Sequence, residues 1–98
     1  MTRAIRFRHE AQLELAEAAC WYEARRAGLG QEFVAGVQKT LELIASRPEL
    51  FGIVLKDIRQ ARVSRSPYSV YYRLLPQEIV VLSIFHGNRD PSQWQQRT

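Results

Sequence analysis

Residues 59–94 read RQARVSRSPYSVYYRLLPQEIVVLSIFHGNRDPSQW, with two adjacent apolar runs, a tight connection between them, and a border of arginines that ends in one histidine. Ser66 and Pro67 mark the start of the first run, since proline has no ladder N–H to give and is tolerated at a strand's first position. From Tyr68 to Leu75 the residues are largely aromatic and β-branched, and strand alternation puts Tyr68, Val70, Tyr72 and Leu74 on one face and Ser69, Tyr71 and Arg73 on the other. Pro76, Gln77 and Glu78 turn the chain. Ile79–Phe85 is apolar on both faces, the pattern of a central strand, and it delivers His86 to its carboxyl end. Asp90 followed by Pro91 reads as an N-cap with proline at the first helical position, which predicts a short helix over 92–97. Any chemistry is expected along this segment. The pattern leaves open which sheet face carries His86 and Arg65, because a one-residue change of register turns every side chain over.

Upstream the apolar period becomes helical. Residues 3–8, RAIRFR, predict a short first strand, because Ile5 and Phe7 favour one and the helical pattern begins straight afterwards. From Glu10 to about Arg26 the positions Ala11, Leu15, Ala18 and Tyr22 make one helical face, with Glu10, Glu14 and Glu17 in the first turns and Arg25 and Arg26 in the last, as the helix dipole favours. Gly28 and Gly30 punctuate the chain. A second helix follows over 30–46 on the spacing of Phe33, Val37, Leu41 and Ile44, and Pro48 ends it. Residues 53–64 predict one strand with an exposed face. The expected architecture is α+β and a single domain over 1–98. It has an N-terminal strand, an antiparallel helix hairpin packed on a mainly antiparallel sheet of about four strands, and a short C-terminal helix.

Composition excludes several classes. A chain of 98 residues suffices for one core, and 46% hydrophobic with 24% charged residues suggests neither disorder nor a fibrous protein. No apolar run approaches the ~20 residues of a membrane span, and MTRAIRFRHE has no secretory segment, so the expectation is a cytoplasmic protein with no membrane partner. The lone Cys20 has no internal disulfide partner and is expected as a small buried hydrophobe within the first helix. Two distant histidines and one cysteine make no metal site, and no cofactor is expected. Charge is uneven: residues 1–49 carry seven basic side chains and seven glutamates, so the net +4 comes from the second half, where seven basic residues face Asp57, Glu78 and Asp90. Twelve of the fourteen basic residues are arginine, whose planar fork suits phosphate or carboxylate, so an anionic partner is one reading and a GC-rich genome the other.

The stretch RVSRSPYSVYY (62–72), together with His86, Arg89, Asp90, Pro91 and Trp94 at this spacing, resembles the RelE/ParE superfamily of bacterial type II toxins, in particular its ParE-like, plasmid-stabilisation branch. The two helical segments, HEAQLELAEAACWYE and GQEFVAGVQKTLELIASRPELF, resemble it as well, so the likeness covers essentially the whole chain. Members of this family are neutralised by an antitoxin encoded beside them. The resemblance implies such a partner and one of two activities. ParE-type toxins poison DNA gyrase, and RelE-type toxins are metal-independent endoribonucleases that cut mRNA in the ribosome.

As a ribonuclease the chain would use His86 as general acid–base and Arg62, Arg65 and Arg89 as the phosphate clamp. One departure weighs against this: RelE-type nucleases carry arginine directly after the aromatic that opens the third strand, and here Ser69 follows Tyr68. A five-donor cation is replaced by one hydroxyl. As a target-binding protein it would present Arg59, Arg62, Arg65, Arg89 and Trp94. Each has a plain alternative: His86 a strand-end contact to a backbone carbonyl, Arg89 an ion pair with Asp90, and Trp94 packing of the terminal helix. Trp21, Tyr22, Leu29 and Phe33 cluster at the hairpin and cannot all turn inward, so they are expected to meet the antitoxin, a dimer partner or one another. A non-toxic basic RNA-binding module is a third class, though interleaved exposed aromatics are missing.

Overall fold

A computed structural model describes residues 3–87 and 89–96. In chain order the elements are β1 (Ala4–Phe7), α1 (His9–Arg25), α2 (Leu29–Ser46), β2 (Ile53–Leu55), β3 (Ile58–Arg62), β4 (Tyr68–Leu74), β5 (Glu78–His86) and α3 (Ser92–Gln95). The α+β architecture is the expected one, with a five-stranded sheet in the order β1-β5-β4-β3-β2. The span 53–64 is two strands: Lys56, in the left-handed region at φ 52°, and Asp57 turn the chain between β2 and β3. Arg73 on β4 holds that turn by donating from Nε to Asp57 at 3.0 Å. All pairs are antiparallel except β1 with β5, which is parallel, and β5 is an interior strand between β1 and β4.

The hairpin helices approach closely because glycine sits at their contact. A Cβ at Gly30 would come within 2.6 Å of the Ala19 carbonyl oxygen. Gly28 takes φ 90° in the turn, and the Glu23 carboxylate accepts from the backbone N–H groups of Gly28 (2.9 Å) and Gly30 (3.0 Å), closing the connection. The hairpin lies on one sheet face. There Ala11, Ala18, Phe33, Val37 and Ile44 meet Ala61, Val63, Val70, Tyr72, Ile79, Val81 and Ile84. On the opposite face Ile58, Tyr71, Val80, Leu82 and Phe85 are closed by Trp94, whose ring stacks on Tyr71 at 4.1 Å. Thus α3 is a plug of four residues for the second face. Its start is held by Asp90, one residue earlier than a cap would be, whose Oδ1 accepts from the Ser92 N–H at 3.0 Å and keeps the carboxyl below its ordinary range. The helix ends at Gln95, and Arg97 lies outside the described residues. Cys20 is exposed, which corrects the expectation of a buried thiol: two residues past the buried Ala18, about 200° further round, it points away from the sheet.

The register of β5 against β4 changes once. Tyr72 pairs with Val81 but Tyr71 with Ser83, so Leu82 is an extra residue on β5. Such a bulge inverts the alternation of everything after it. Before it Ile79 and Val81 face the helices, and after it Ile84 and His86 do, with His86 opposite Tyr68. β1 ends alongside Val81, where the Arg8 N–H still reaches the Val81 carbonyl, and beyond that point the β1 side of β5 has no strand. Glu14 of α1 fills the place. Its Oε1 accepts from the Ser83 hydroxyl (2.8 Å) and from the Ile84 N–H (3.1 Å).

Two predictions follow from these contacts. Glu14→Ala leaves the Ile84 N–H and the Ser83 hydroxyl without their acceptor and is expected to cost about 1–3 kcal/mol, with Glu14→Gln costing less. Urea denaturation and amide exchange at Ile84 check this, and an unchanged midpoint with unchanged protection would refute it. The second concerns Tyr72, whose buried hydroxyl donates to the Pro48 carbonyl. Burial pushes its phenol up to about 12, with Arg59 opposing the rise. The folded value lies above the ordinary ~10, so this contribution to stability is complete below pH ~10 and is lost as pH rises through 12. Tyr72→Phe is expected to flatten the alkaline fall of Tm without abolishing it, since burial also raises Tyr68 and Tyr71. At neutral pH the same variant loses about 1 kcal/mol with the Pro48 bond.

Candidate functional site

The carboxyl end of β5 gathers groups from four elements. His86 is half-buried on the helix face, its ring 5.2 Å from that of Tyr68 and nearly perpendicular to it. Tyr68 packs edge-on against Phe33 at 5.1 Å, Phe33 stacks on Tyr22 at 4.9 Å, and Tyr22 meets Trp21 edge-on at 5.2 Å. A continuous row of rings therefore runs from the hairpin surface to His86. Burial pushes the Tyr68 phenol up, the Arg89 guanidinium pulls it down, and Tyr22, Glu14 and Glu17 add to the rise. Arg89 is thus within electrostatic reach of Tyr68.

Local backbone contacts fix this corner. Ser66 Oγ accepts from the Tyr68 N–H at 3.1 Å and lies 3.5 Å from the Tyr22 hydroxyl. The Gly87 N–H donates to the Pro67 carbonyl at 2.9 Å and the Arg89 N–H to the His86 carbonyl at 3.1 Å, so the chain after β5 turns back over the β3–β4 connection. A Cβ on Gly87 would stand 3.2 Å from that Pro67 oxygen.

The arginines do not converge on His86 as a group. Arg59 sits opposite Tyr72 and donates from Nη1 to the Phe51 carbonyl at 2.6 Å. Arg62 pairs with Ser69, which lies on the face away from the helices, and its Nε donates to the Ser66 carbonyl at 3.3 Å. Arg65 belongs to no strand. It occupies the β3–β4 turn at φ 60° and lines a cavity of about 590 Å³ between that turn and α2. Ser69 is buried on the face opposite His86, accepting from Gln60 Nε2 at 3.0 Å. Trp94 is only 3% exposed, inside the second core.

The residues assigned to the hairpin surface separate by depth. Trp21 is 49% exposed under the guanidinium of Arg25, 4.2 Å from its ring, while Phe33 is 6% exposed and Tyr22 and Leu29 are intermediate. Sequence reading missed Tyr68 and Glu14 as parts of the site. Tyr68 was assigned to the right face, but nothing marked it as the partner of His86, and Glu14 reads as one more first-turn carboxylate. Among the described residues no cluster of three or more His, Cys, Asp or Glu could hold a metal ion, and no helix is long and apolar enough to cross a membrane.

Among the solved structures that share the fold are two toxin–antitoxin assemblies. One, the chromosomal ParDE toxin–antitoxin system of P. aeruginosa, superposes with a TM-score of 0.65 at 16% identity over 87% of this chain and 96% of that one. The other, the RelBE2 toxin–antitoxin complex of Mycobacterium tuberculosis, gives 0.63 at 20% identity over 88% and 99%. A comparison with curated protein sequences finds no match. The sequence model of the ParE toxin of the type II toxin–antitoxin system parDE matches residues 5–91, from β1 to the start of α3. With nearly the whole fold inside that match, the chain belongs to the ParE toxin family of type II toxin–antitoxin systems.

Proposed function

We propose that this protein arrests bacterial growth in the cytoplasm by binding DNA gyrase, without a catalytic residue of its own, and that a cognate antitoxin neutralises it. The carrying observation is the membership in the ParE family combined with the position of Ser69. Where a RelE-type nuclease would place an arginine, this chain has a buried hydroxyl engaged by Gln60 on the sheet face away from His86. Charge on a transferred phosphate would go unanswered at that point. Arg62 opens from the same far face, and Arg59 is committed to a backbone carbonyl. Target contact is then made by the exposed rim of Arg62, Arg65 and Arg89. Trp94, buried against Tyr71, packs α3 onto the second sheet face. The antitoxin covers Trp21, Tyr22, Leu29 and Phe33 at the hairpin.

A ribonuclease reading draws on one specific feature, His86 over Tyr68 with Arg89 in electrostatic reach. That set could exchange a proton and stabilise an anion. Induction of the wild-type chain and of His86→Ala in a bacterial host separates the two. The gyrase reading expects arrest with intact transcripts, an SOS response and gyrase-linked DNA breaks, all retained in His86→Ala. Rapid transcript cleavage that disappears in His86→Ala would overturn it.

A further inference from the structure

The edge of the sheet at β2 is open and apolar. Among the described residues six large apolar side chains are exposed, and three of them, Leu50 (56%), Ile53 (56%) and Val54 (47%), fall within five positions at this edge. β2 stands last in the strand order and pairs with β3, and its residues Ile53, Val54 and Leu55 carry no charge. The opposite edge, β1, carries Arg6, paired with Glu78 at 2.9 Å. A charged side chain on an edge strand discourages further pairing, and β2 has none.

The backbone shows where another strand can add. The Gln60 N–H donates to the Gly52 carbonyl at 3.1 Å. Residues of an antiparallel strand alternately bond a given neighbour and turn away from it, so Ile53, opposite Arg59, turns its N–H and carbonyl to the open side. The fold of one chain does not require glycine at position 52. Its φ lies outside the left-handed region, and a Cβ there would meet nothing within 4 Å. The open side thus presents one residue's pair of hydrogen-bonding groups, with empty space at Gly52 on one flank and the exposed Val54 on the other.

We propose that β2 pairs antiparallel with β2 of a second copy of this chain, with the two-fold axis at Ile53. The two Ile53 residues then exchange a pair of N–H···O=C bonds, and the register sets Val54 of one copy beside Gly52 of the other, where the absent side chain leaves it room. The same direction brings Glu49, on the approach to one β2, toward Lys56, at the exit of the other, so opposite charges meet at both ends. A second copy fits better than a foreign strand because each feature is answered by another on the same segment: the outward groups by themselves, the valine by the glycine, the carboxylate by the ammonium. Two five-stranded sheets join into one of ten strands with both hairpins on the same face, and His86 on β5 lies three strands from the junction. With one pair of hydrogen bonds and a short strand the contact is small, and a Kd of about 100 μM is expected.

Sedimentation velocity of the full chain between about 10 μM and about 1 mM, with amide exchange followed at Ile53, is the test. The expected result is a monomer–dimer equilibrium in which the Ile53 amide gains protection as concentration rises. Ile53→Lys sets like charges at the axis and Gly52→Val fills the space that Val54 enters, so each should weaken association at least ~10-fold. Both should leave the Tm of the dilute protein within a few degrees of its original value, because Ile53 is exposed and the position of Gly52 is open. Glu49→Lys should weaken association ~3-fold or more, and adding Lys56→Glu should restore it. Leu13→Lys, at an exposed leucine of α1, should change nothing. A chain that stays monomeric to about 1 mM overturns the proposal and leaves this edge to a strand of another protein. A dimer that survives both Ile53→Lys and Gly52→Val, or that is lost in Leu13→Lys instead, overturns it as well.

Discussion

A single extra residue in β5 determines on which side of the sheet the rest of the molecule works. With Leu82 bulged out of the ladder, His86 comes to lie on the helix face opposite Tyr68. Without the bulge Phe85 would face Tyr68 and His86 would turn toward the Trp94 side. The bulge has an identifiable anchor in the Glu14 carboxylate, which binds Ser83 and Ile84 just where the sheet runs out of a neighbouring strand. This contact couples α1 to β5. The hairpin that carries Trp21 and Tyr22 is thereby held in one relation to the corner that carries His86 and Arg89.

The charge distribution follows from the same geometry. Several arginines that cluster in sequence are separated in space: Arg59 toward the helices, Arg62 on the far face, Arg65 in a strained turn and Arg89 after β5. Others serve structure outright, as Arg73 does with Asp57 and Arg6 with Glu78. What remains exposed is a rim around one end of the sheet rather than a closed phosphate clamp.

Much of this was legible before any coordinates. The helical period of Phe33, Val37 and Ile44 and the alternation in Tyr68–Leu74 each placed the right residues on the right face. The break between β2 and β3 was not legible, because it depends on Lys56 taking a left-handed conformation that nothing in its side chain signals. Nor was the face of His86. Ile79–Phe85 is so uniformly apolar that a bulge within it leaves the hydrophobic pattern unchanged, and only the tertiary contact with Glu14 reveals it. Cys20 was misplaced because its residue type was weighed over its position, which lies about 200° round the helix from Ala18 on the buried face. Arg65 was singled out for its charge, while the turn conformation that aims it into a cavity became visible only in the fold.

The resemblance to the RelE/ParE superfamily and the family match agree on kinship, and the register of β4 against β5 sets where His86 stands relative to Tyr68 and Ser69. That register is therefore the point to measure. In a NOESY spectrum of the isotopically labelled chain the account predicts cross-peaks between the His86 and Tyr68 rings, together with a slowly exchanging Ile84 amide. Cross-peaks from His86 to Tyr71 or Trp94, with Phe85 instead in contact with Tyr68, would place His86 on the face of Ser69 and Arg62 and contradict the account.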